Sequence, residues 1–363
     1  TMHQEPSGEW IMAYTTIDNP TSFFDTTTWS TVDTSIDTLN FQPDWVWLKS
    51  RSNADTQVAF DSVRGANKRL APSGNAVEST TSDELTAFNS DGFTLGTGDN
   101  VNRSSQTMVA WSWKAGTAFS NDASATGIGT IDSSGSTNQT AGFSIVGYTG
   151  NGSANQSVAH NLGGTPEMII FKCRETTTDW ITFHKDLGGP NKNVSLNTID
   201  AVGTDTDYFA NTNPTSTVFS VGAASNTNRG SEGMIAYCFR SIQGYSKIGS
   251  YTGNNSTTGV FVYTGFTPAF VLIKRTDSTG DWRIYDNKRF RAGGPSNKLN
   301  YLEPNTNDTE GTTDSGGSWD LLSNGFRFYT SEAEINAAGT YIYMAFAENP
   351  FVTAGTKAAG TAR

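Results

Sequence analysis

The sequence of 363 residues is poor in the side chains that usually carry chemistry. It has two cysteines, three histidines and 16% charged residues, against roughly 25% charged residues in an ordinary soluble domain. Two cysteines cannot staple a chain of this size, so Cys173 and Cys238 are predicted to be free, buried thiols. The histidines, His3, His160 and His184, show no metal-ligand spacing. We therefore expect no bound metal and no cofactor.

Positive charge and long apolar runs are also scarce. Lys and Arg number 24 against 35 Asp and Glu, which gives a net charge of -11, the wrong sign for a partner of a phosphate backbone. No apolar run approaches the roughly 18 residues of a membrane-spanning helix, and the first residues lack a basic and then apolar signal sequence. We predict no nucleic-acid partner and no membrane insertion. Thr1 fits either a trimmed initiator methionine or the boundary of a fragment.

Recognisable catalytic motifs are missing as well. The sequence contains no Gly-x-Ser-x-Gly elbow, no phosphate-binding loop and no dinucleotide fingerprint. We therefore predict a protein that is not an enzyme. A polysaccharide depolymerase is the alternative from the enzyme class, because paired catalytic carboxylates can come from distant strands.

What the sequence does contain is one template repeated three times. A strand-like run begins at a proline and ends at a lysine six positions later, and an aromatic residue follows that lysine after 11 more positions. The three runs are 43–49, 166–172 and 268–274, and their aromatic residues are Phe60, Phe183 and Tyr285. Constant spacing across a variable loop predicts a hairpin of fixed register, since a slip of one residue would turn every side chain to the other face.

The repeat divides the chain into three predicted modules, 1–114, 143–245 and 246–363. The stretch 115–142 is rich in Gly, Ser and Thr and is predicted to be a flexible linker. A free first module and a stiffer second and third are expected to result. The first module also lacks the Tyr-Thr-Gly-Asn lead-in that begins at Tyr148 and Tyr251 in the others.

The texture of each module predicts an all-β fold of tandem antiparallel two-sheet β-sandwiches. The runs after the prolines are apolar without alternation, so they should be central strands covered on both faces. The last predicted strand of each module, its closing strand, contains an alanine followed by an aromatic residue. We expect the alanines, Ala110, Ala236 and Ala345, to be equivalent. The best helix candidate is 82–88.

Several polar and aromatic residues recur at fixed places. Asp61 and Asp286 directly follow the repeated aromatic residue and are predicted to be structural. His184 stands at the same place in the second module and is predicted to lie on the surface. Trp180 and Trp282 precede the aromatic residue by three positions, and their equivalence favours packing over stacking on sugars.

Candidate recognition residues should lie where the modules differ, because loops vary while a scaffold repeats. The segments 200–215 and 305–319 differ most. Asp205 and Asp207 could bind calcium weakly, but a solvated loop is the preferred interpretation because further acidic ligands are missing. The predicted receptor-binding side chains are Tyr208, Phe209 and Trp319.

Four segments carry a family resemblance: 41–51 (FQPDWVWLKSR), 60–66 (FDSVRGA), 148–152 (YTGNG) and 345–351 (AFAENPF). With them the chain resembles the repeat modules of uncharacterised virion and tail-fibre proteins of marine tailed phages, especially phages of cyanobacteria. The resemblance implies a β-sandwich of jelly-roll or lectin-like type on the virion exterior, often within a homotrimeric appendage, and it supplies no catalytic residues.

The expected function is that of a structural virion protein. It would belong to a tail fibre or similar appendage and form a homo-oligomer, with a trimer favoured. It would also assemble with other virion proteins and contact a host-surface glycan or protein through inter-strand loops. The alternative is a capsid decoration or head-fibre protein with a role in assembly.

Overall fold

The computed structural model describes residues 2–4, 10–12, 15–30, 32–289, 300–312 and 319–352; for 2–4, 10–12 and 312 only the backbone is described. Within these ranges the chain is nearly all β, and the strands pair in antiparallel fashion. The predicted all-β sandwich fold is confirmed. No helix in the described part is long and apolar enough to cross a membrane.

Module 1 is a two-sheet sandwich that follows a short separate hairpin. Its strands β3, β11, β5 and β6 form an inner sheet in that order, and β4, β10 and β9 form an outer sheet. The elements are β1 (Met2–Gln4), β2 (Trp10–Met12), a 3-10 turn (Pro20–Ser22), β3 (Phe24–Trp29), β4 (Ser35–Ile36), β5 (Trp45–Ser50), β6 (Val58–Asp61), β7 (Lys68–Arg69), β8 (Ser79–Thr80), β9 (Leu85–Asn89), β10 (Gly92–Leu95), α1 (Asp99–Asn102) and β11 (Met108–Trp113).

Module 2 has the same plan with a longer inner sheet. Eight strands lie in the order β12-β13-β14-β21-β16-β17-β18-β19, and β15 pairs with β20 in the outer layer. The elements are β12 (Thr117–Asn121), α2 (Ala123–Thr126), β13 (Ser133–Asn138), β14 (Phe143–Thr149), β15 (Gln156–Ala159), β16 (Met168–Cys173), β17 (Ile181–His184), β18 (Lys192–Ser195), β19 (Gly203–Thr204), β20 (Val218–Val221), α3 (Ser225–Asn228) and β21 (Gly233–Phe239).

Module 3 returns to a four-stranded inner sheet, β22-β30-β24-β25, with an outer sheet β23-β29-β28. The elements are β22 (Ser246–Thr252), β23 (Phe261–Tyr263), β24 (Phe266–Arg275), β25 (Arg283–Asp286), β26 (Asn300–Tyr301), β27 (Gly311–Thr312), β28 (Trp319–Leu322), β29 (Gly325–Phe328) and β30 (Thr340–Pro350).

The repeated runs form β5, β16 and β24, and each pairs with the strand that carries the repeated aromatic residue. Phe60 lies opposite Val46, Phe183 opposite Ile169, and Tyr285 opposite Val271. These are equivalent positions, so the predicted hairpin of fixed register is confirmed. All residues of β5 and β16 are buried, as predicted for central strands covered on both faces.

The two faces of these central strands belong to different cores. One face packs against the outer sheet of the same module and forms a private core. The opposite faces of all three inner sheets meet in one shared core that contains residues from every module. Trp45 of module 1 stacks on Tyr237 of module 2 at 4.6 Å between ring centroids, and Phe346 of module 3 stacks on Phe24 at 5.0 Å and meets Phe239 at 6.2 Å. The predicted free first module is therefore wrong.

The predicted flexible linker 115–142 is also wrong, since it folds as β12, α2 and β13. β13 pairs with β14 from Phe143 to Tyr148 and extends the inner sheet of module 2. Gly135 fits there because a Cβ at this position would lie 1.8 Å from the carbonyl oxygen of Ile145. Asp122 caps α2 by accepting from the backbone N–H of Ala125. A segment of small, neutral residues can form a strand when its backbone can pair with the edge of an existing sheet.

Two smaller predictions also need correction, and the lead-in of module 1 is present as a strand. The segment 82–88 is not helical, because its second half forms β9 and pairs with β10. β3 occupies in module 1 the place of the lead-in strands β14 and β22, although its sequence differs. Ala110 and Ala236 pair with the residue before the repeated lysine, whereas Tyr343 does so in module 3. Ala345 thus lies two positions away from equivalence.

Candidate functional site

The repeated lysines link the three modules into a closed ring. Each Nζ donates to a carbonyl oxygen of another module: Lys49 to Asn307 at 2.8 Å, Lys172 to Asn75 at 3.2 Å, and Lys274 to Ile199 at 3.1 Å. Module 1 thus binds module 3, module 2 binds module 1, and module 3 binds module 2. Burial lowers the pKa of each lysine to about 8, so all three are cationic at neutral pH.

A second set of contacts repeats the same cyclic order. The Trp180 indole N–H donates to the carbonyl oxygens of Ala71 and Gly74 in module 1, both at 3.1 Å. The Trp282 indole donates to Ser195 of module 2 at 2.9 Å. Both rings are buried, which confirms their predicted packing role, although they pack across module boundaries.

Gln57 completes this set in module 1. Its Nε2 donates to the carbonyl oxygens of Glu303 and Thr306 in module 3, the latter at 2.8 Å, and its Oε1 accepts from the indole of Trp47 at 3.0 Å. An amide and a neighbouring tryptophan together take the place that one indole fills in the other modules.

A buried ionic network joins modules 1 and 2. Asp61 Oδ2 accepts from Arg64 Nε at 2.5 Å and from the Tyr237 hydroxyl of module 2 at 2.7 Å. Glu78 bridges Arg64 at 3.2 Å and Arg174 of module 2 at 2.8 Å. Burial alone would lower the pKa of Arg64, but the Asp61 carboxylate outweighs it and the pKa is raised.

The interface of modules 3 and 1 repeats this network, with a tryptophan indole in place of the tyrosine hydroxyl. Asp286 Oδ2 accepts from Arg289 Nε at 2.6 Å and from the Trp111 indole of module 1 at 2.9 Å. Glu310 bridges Arg289 at 3.1 Å and Arg51 of module 1 at 2.8 Å. The predicted structural role of Asp61 and Asp286 is confirmed.

The interface of modules 2 and 3 has different residues at all four positions of this network. His184 and Leu187 stand in place of the Asp and Arg, and Val202 and Thr276 stand in place of the Glu and the second Arg. The backbone bond between the last two survives: Val202 N–H donates to Thr276 O at 2.9 Å, as Glu78 N–H does to Arg174 O at 2.7 Å. Removing both signs of charge together leaves neither one unpaired in the interior.

His184 is therefore a buried interface residue, and its predicted surface position is wrong. Its side chain is 1% exposed, and its Nδ1 accepts from the backbone N–H of Asp186 at 3.1 Å. Burial lowers its pKa to about 4, with Lys185 lowering it further and Glu167 opposing. The imidazole is neutral at physiological pH, as an apolar interface requires.

The lowered pKa predicts loss of stability in acid. Because the unfolded histidine has a pKa near 6.5 and the folded one about 4, the unfolded state binds more protons between these values, and the folded state is disfavoured as the pH falls. The loss from His184 should be on the order of 2–3 kcal/mol by pH 4. Urea unfolding of wild type and His184→Gln at several pH values measures it: the variant should show the shallower pH dependence, and equal slopes would contradict a buried neutral imidazole.

Three asparagines that the sequence analysis missed fix the turn before each closing strand. Asn102, Asn228 and Asn336 are buried, and each side-chain amide donates to the carbonyl oxygen six residues earlier. Each Oδ1 accepts the backbone N–H at the end of the lead-in strand, from Asp33, Asn151 or Asn254. An asparagine eight residues before Ala110 and eight residues before Ala236 was the available signal.

The predicted receptor-binding side chains lie in or against private cores. Phe209 is 2% exposed and packs on Phe171 and Phe183, and Trp319 is 2% exposed and stacks on Phe328. Tyr208 is half-buried. A ligand cannot reach Phe209 or Trp319 without opening a core, so these two have packing roles.

The predicted recognition loop 305–319 needs correction for a similar reason. Residues 305–310 form the interface with module 1 through Thr306, Asn307 and Glu310, and 313–318 lie outside the described residues. Asp205 and Asp207 form a local turn in which Asp205 accepts the N–H of Asp207 at 2.7 Å.

Among the described residues, Cys173, Glu175 and Glu232 lie close enough together to suggest a metal site. Their atoms already have partners. Cys173 donates to Glu232 at 3.1 Å, Thr176 donates to the same carboxylate at 2.8 Å, and the Gly233 N–H donates to Glu175 at 2.6 Å. Cys173 and Cys238 are free and buried, as predicted.

Comparison with known proteins places the whole ring within one family. No curated protein and no solved structure matches the chain. The model of a domain of unknown function, DUF7483, matches residues 19–350 and so spans all three modules. The chain belongs to this family.

Proposed function

We propose that the chain is a structural protein of a tailed-phage virion, part of a tail fibre or similar appendage on the particle exterior, that contacts the host surface. The proposal excludes catalysis. The motif resemblance supports the phage assignment, and the ring supports the structural role.

The observation that carries the proposal is that the repeated polar residues lie at the interfaces between the modules. The lysines, the Asp-Arg pairs and the bridging glutamates close the ring from inside. Groups used in this way hold a scaffold together and are not available to a substrate. A ring closed by buried lysine–carbonyl hydrogen bonds at all three interfaces, and by charge pairs at two of them, is a rigid base on which exposed loops can vary, which is what a host-contacting appendage needs.

The internal ring also bears on assembly. Three related modules in cyclic order give one chain an approximate threefold arrangement, and heterologous contacts that close produce a ring. Such a ring matches the symmetry of a trimeric appendage at its axis. We propose that a single chain lies on that axis and contacts other virion proteins. A homotrimer of the chain is the alternative. Mass photometry of the purified chain separates monomer from trimer.

Localisation on particles tests the proposed function. Antibodies against the purified chain should label the tail of particles of the encoding phage in electron micrographs, and the purified chain should compete with particles for host adsorption. Labelling of the head surface would favour the capsid-decoration alternative. Absence of the chain from purified particles would overturn the proposal.

A further inference from the structure

The outer sheet of module 3 carries an exposed aromatic surface that has no counterpart in the described parts of the other modules. On β23, Phe261 is 44% and Tyr263 is 54% exposed, while Val262 between them is buried at 5%. Strand alternation thus points both rings away from the core. Most of the other aromatic side chains pack inside one of the cores, so two large rings on one short strand stand out.

The neighbouring strands place polar groups beside these rings. In register, Phe261 lies opposite Arg327, which in turn lies opposite Asp320, so the three form one row across the outward face. Tyr263, Gly325 and Leu322 form the next outward row. We call these six residues the β23 platform.

The platform is held in a fixed conformation. The Arg327 guanidinium donates to the Thr258 carbonyl oxygen at 2.7 and 3.2 Å and lies over the Tyr329 ring at 5.1 Å from its centroid. A glycine is required at position 325 of the platform, because a Cβ there would lie 2.1 Å from the Val262 carbonyl oxygen and 3.1 Å from the Phe261 ring. Preorganised groups lose little conformational entropy on binding.

The same positions in the other modules carry no aromatic and no basic side chain, and Asp37 of module 1 stands at the place of Tyr263. By strand register, Ser157 and Ala159 in module 2 correspond to Phe261 and Tyr263, and Ser220 corresponds to Arg327. Module 1 has Ser35 and Thr94 at the places of Phe261 and Arg327. The fold therefore does not need aromatic or basic groups there, which separates the platform from the repeated scaffold.

We infer that the β23 platform binds a neutral carbohydrate chain. The C–H face of a pyranose ring stacks on an exposed aromatic ring, and hydroxyl groups both donate and accept, which suits an arginine beside an aspartate. A net charge of -11 opposes a polyanionic ligand.

The size of the surface argues against a protein partner. Two outward rows across three strands, at about 4.8 Å between strands and roughly 7 Å between rows, cover on the order of 100–200 Å². A stable protein interface needs about 800 Å² on each side. One or two sugar rings fit the available area.

This inference rests on the proposed function, since it names the ligand class that a host-contacting appendage would take at this place. It is tested with the full chain on an array of neutral oligosaccharides of glucose, galactose, mannose and N-acetylglucosamine, with hyaluronate as an anionic comparator. Wild type should bind at least one neutral member and not hyaluronate. Binding to no neutral member, or to hyaluronate alone, would overturn the inference.

Variants locate the binding. Tyr263→Ala, which installs the residue of module 2, should weaken binding about tenfold or more, while Tyr263→Phe should retain most of it because the stacking face remains. Ser157→Ala on the equivalent face of module 2 is the matched control and should bind as wild type does. Unchanged binding by Tyr263→Ala would overturn the platform assignment. Thermal unfolding of each variant verifies the fold.

The outcome of the oligosaccharide-binding test can be distinguished from the outcome of the localisation test of the proposed function. Virion labelling without oligosaccharide binding would remove the platform and leave the virion role. Binding that depends on Tyr263, by a chain absent from particles, would retain the platform and remove the virion role.

Discussion

Replacing Asp61 with alanine is expected to lower the free energy of unfolding by about 3–5 kcal/mol. The variant leaves the Arg64 guanidinium, 1% exposed at its side chain, without its closest counter-charge, and the Tyr237 hydroxyl of module 2 without its acceptor. An uncompensated buried charge costs far more than the net contribution of the intact pair. Urea denaturation of the full chain measures the difference.

The interface of modules 2 and 3 supplies the control for this result. Asp61→His combined with Arg64→Leu copies the His184 and Leu187 pair that the fold already uses between modules 2 and 3, so the double variant should recover much of the loss. Asp207→Ala removes an exposed carboxylate and should change stability by less than about 0.5 kcal/mol. A cost below about 1 kcal/mol for Asp61→Ala, or no recovery in the double variant, would contradict the buried network.

Replacing Trp45 with alanine is expected to cost about 3–5 kcal/mol and to loosen all three modules at once. The Trp45 ring stacks on Trp113 at 4.5 Å within module 1 and on Tyr237 at 4.6 Å in module 2. Because it belongs to the core that the three inner sheets share, the cavity should destabilise that common core. Hydrogen exchange read by mass spectrometry should show faster exchange in strands of modules 1, 2 and 3.

Val77→Ala is the control for this experiment, since Val77 is 40% exposed and should have little effect. Faster exchange confined to module 1 in Trp45→Ala would show that the shared core does not couple the modules.

The repeat predicted the central strands and their hairpins because both depend on local spacing. Register fixes the distance from Lys49 to Phe60, and the same distance recurs from Lys172 and from Lys274. Asp91-Gly92 and Asn324-Gly325 are turn dipeptides in the sequence, and each glycine opens a strand where a Cβ would collide with the carbonyl oxygen of Ile36 or Val262.

The closed ring could not be read in the same way, because its acceptors are mostly backbone carbonyl oxygens. Asn307, Asn75 and Ile199 accept the lysines through atoms that every residue possesses, so the acceptors leave no sequence signal. The donors did leave one. A lysine inside an otherwise apolar central strand must find fixed acceptors when it is buried.

His184 shows how comparison by position can mislead. His184 stands where each of the other two modules has an aspartate, and this difference resembles a tolerated surface change when the position is considered alone. Its meaning appears only with Leu187, Val202 and Thr276, which lie 3, 18 and 92 positions further on and change with it. Coupled changes of this kind follow from burial, because one member of a charge network cannot be lost alone without a large cost.

The central claim is that three modules form one cooperative unit around a shared core, and scanning calorimetry of the full chain tests it most directly. The account predicts one transition whose calorimetric enthalpy equals its van't Hoff enthalpy. Two or three separate transitions, each with the enthalpy of about one module, would contradict it.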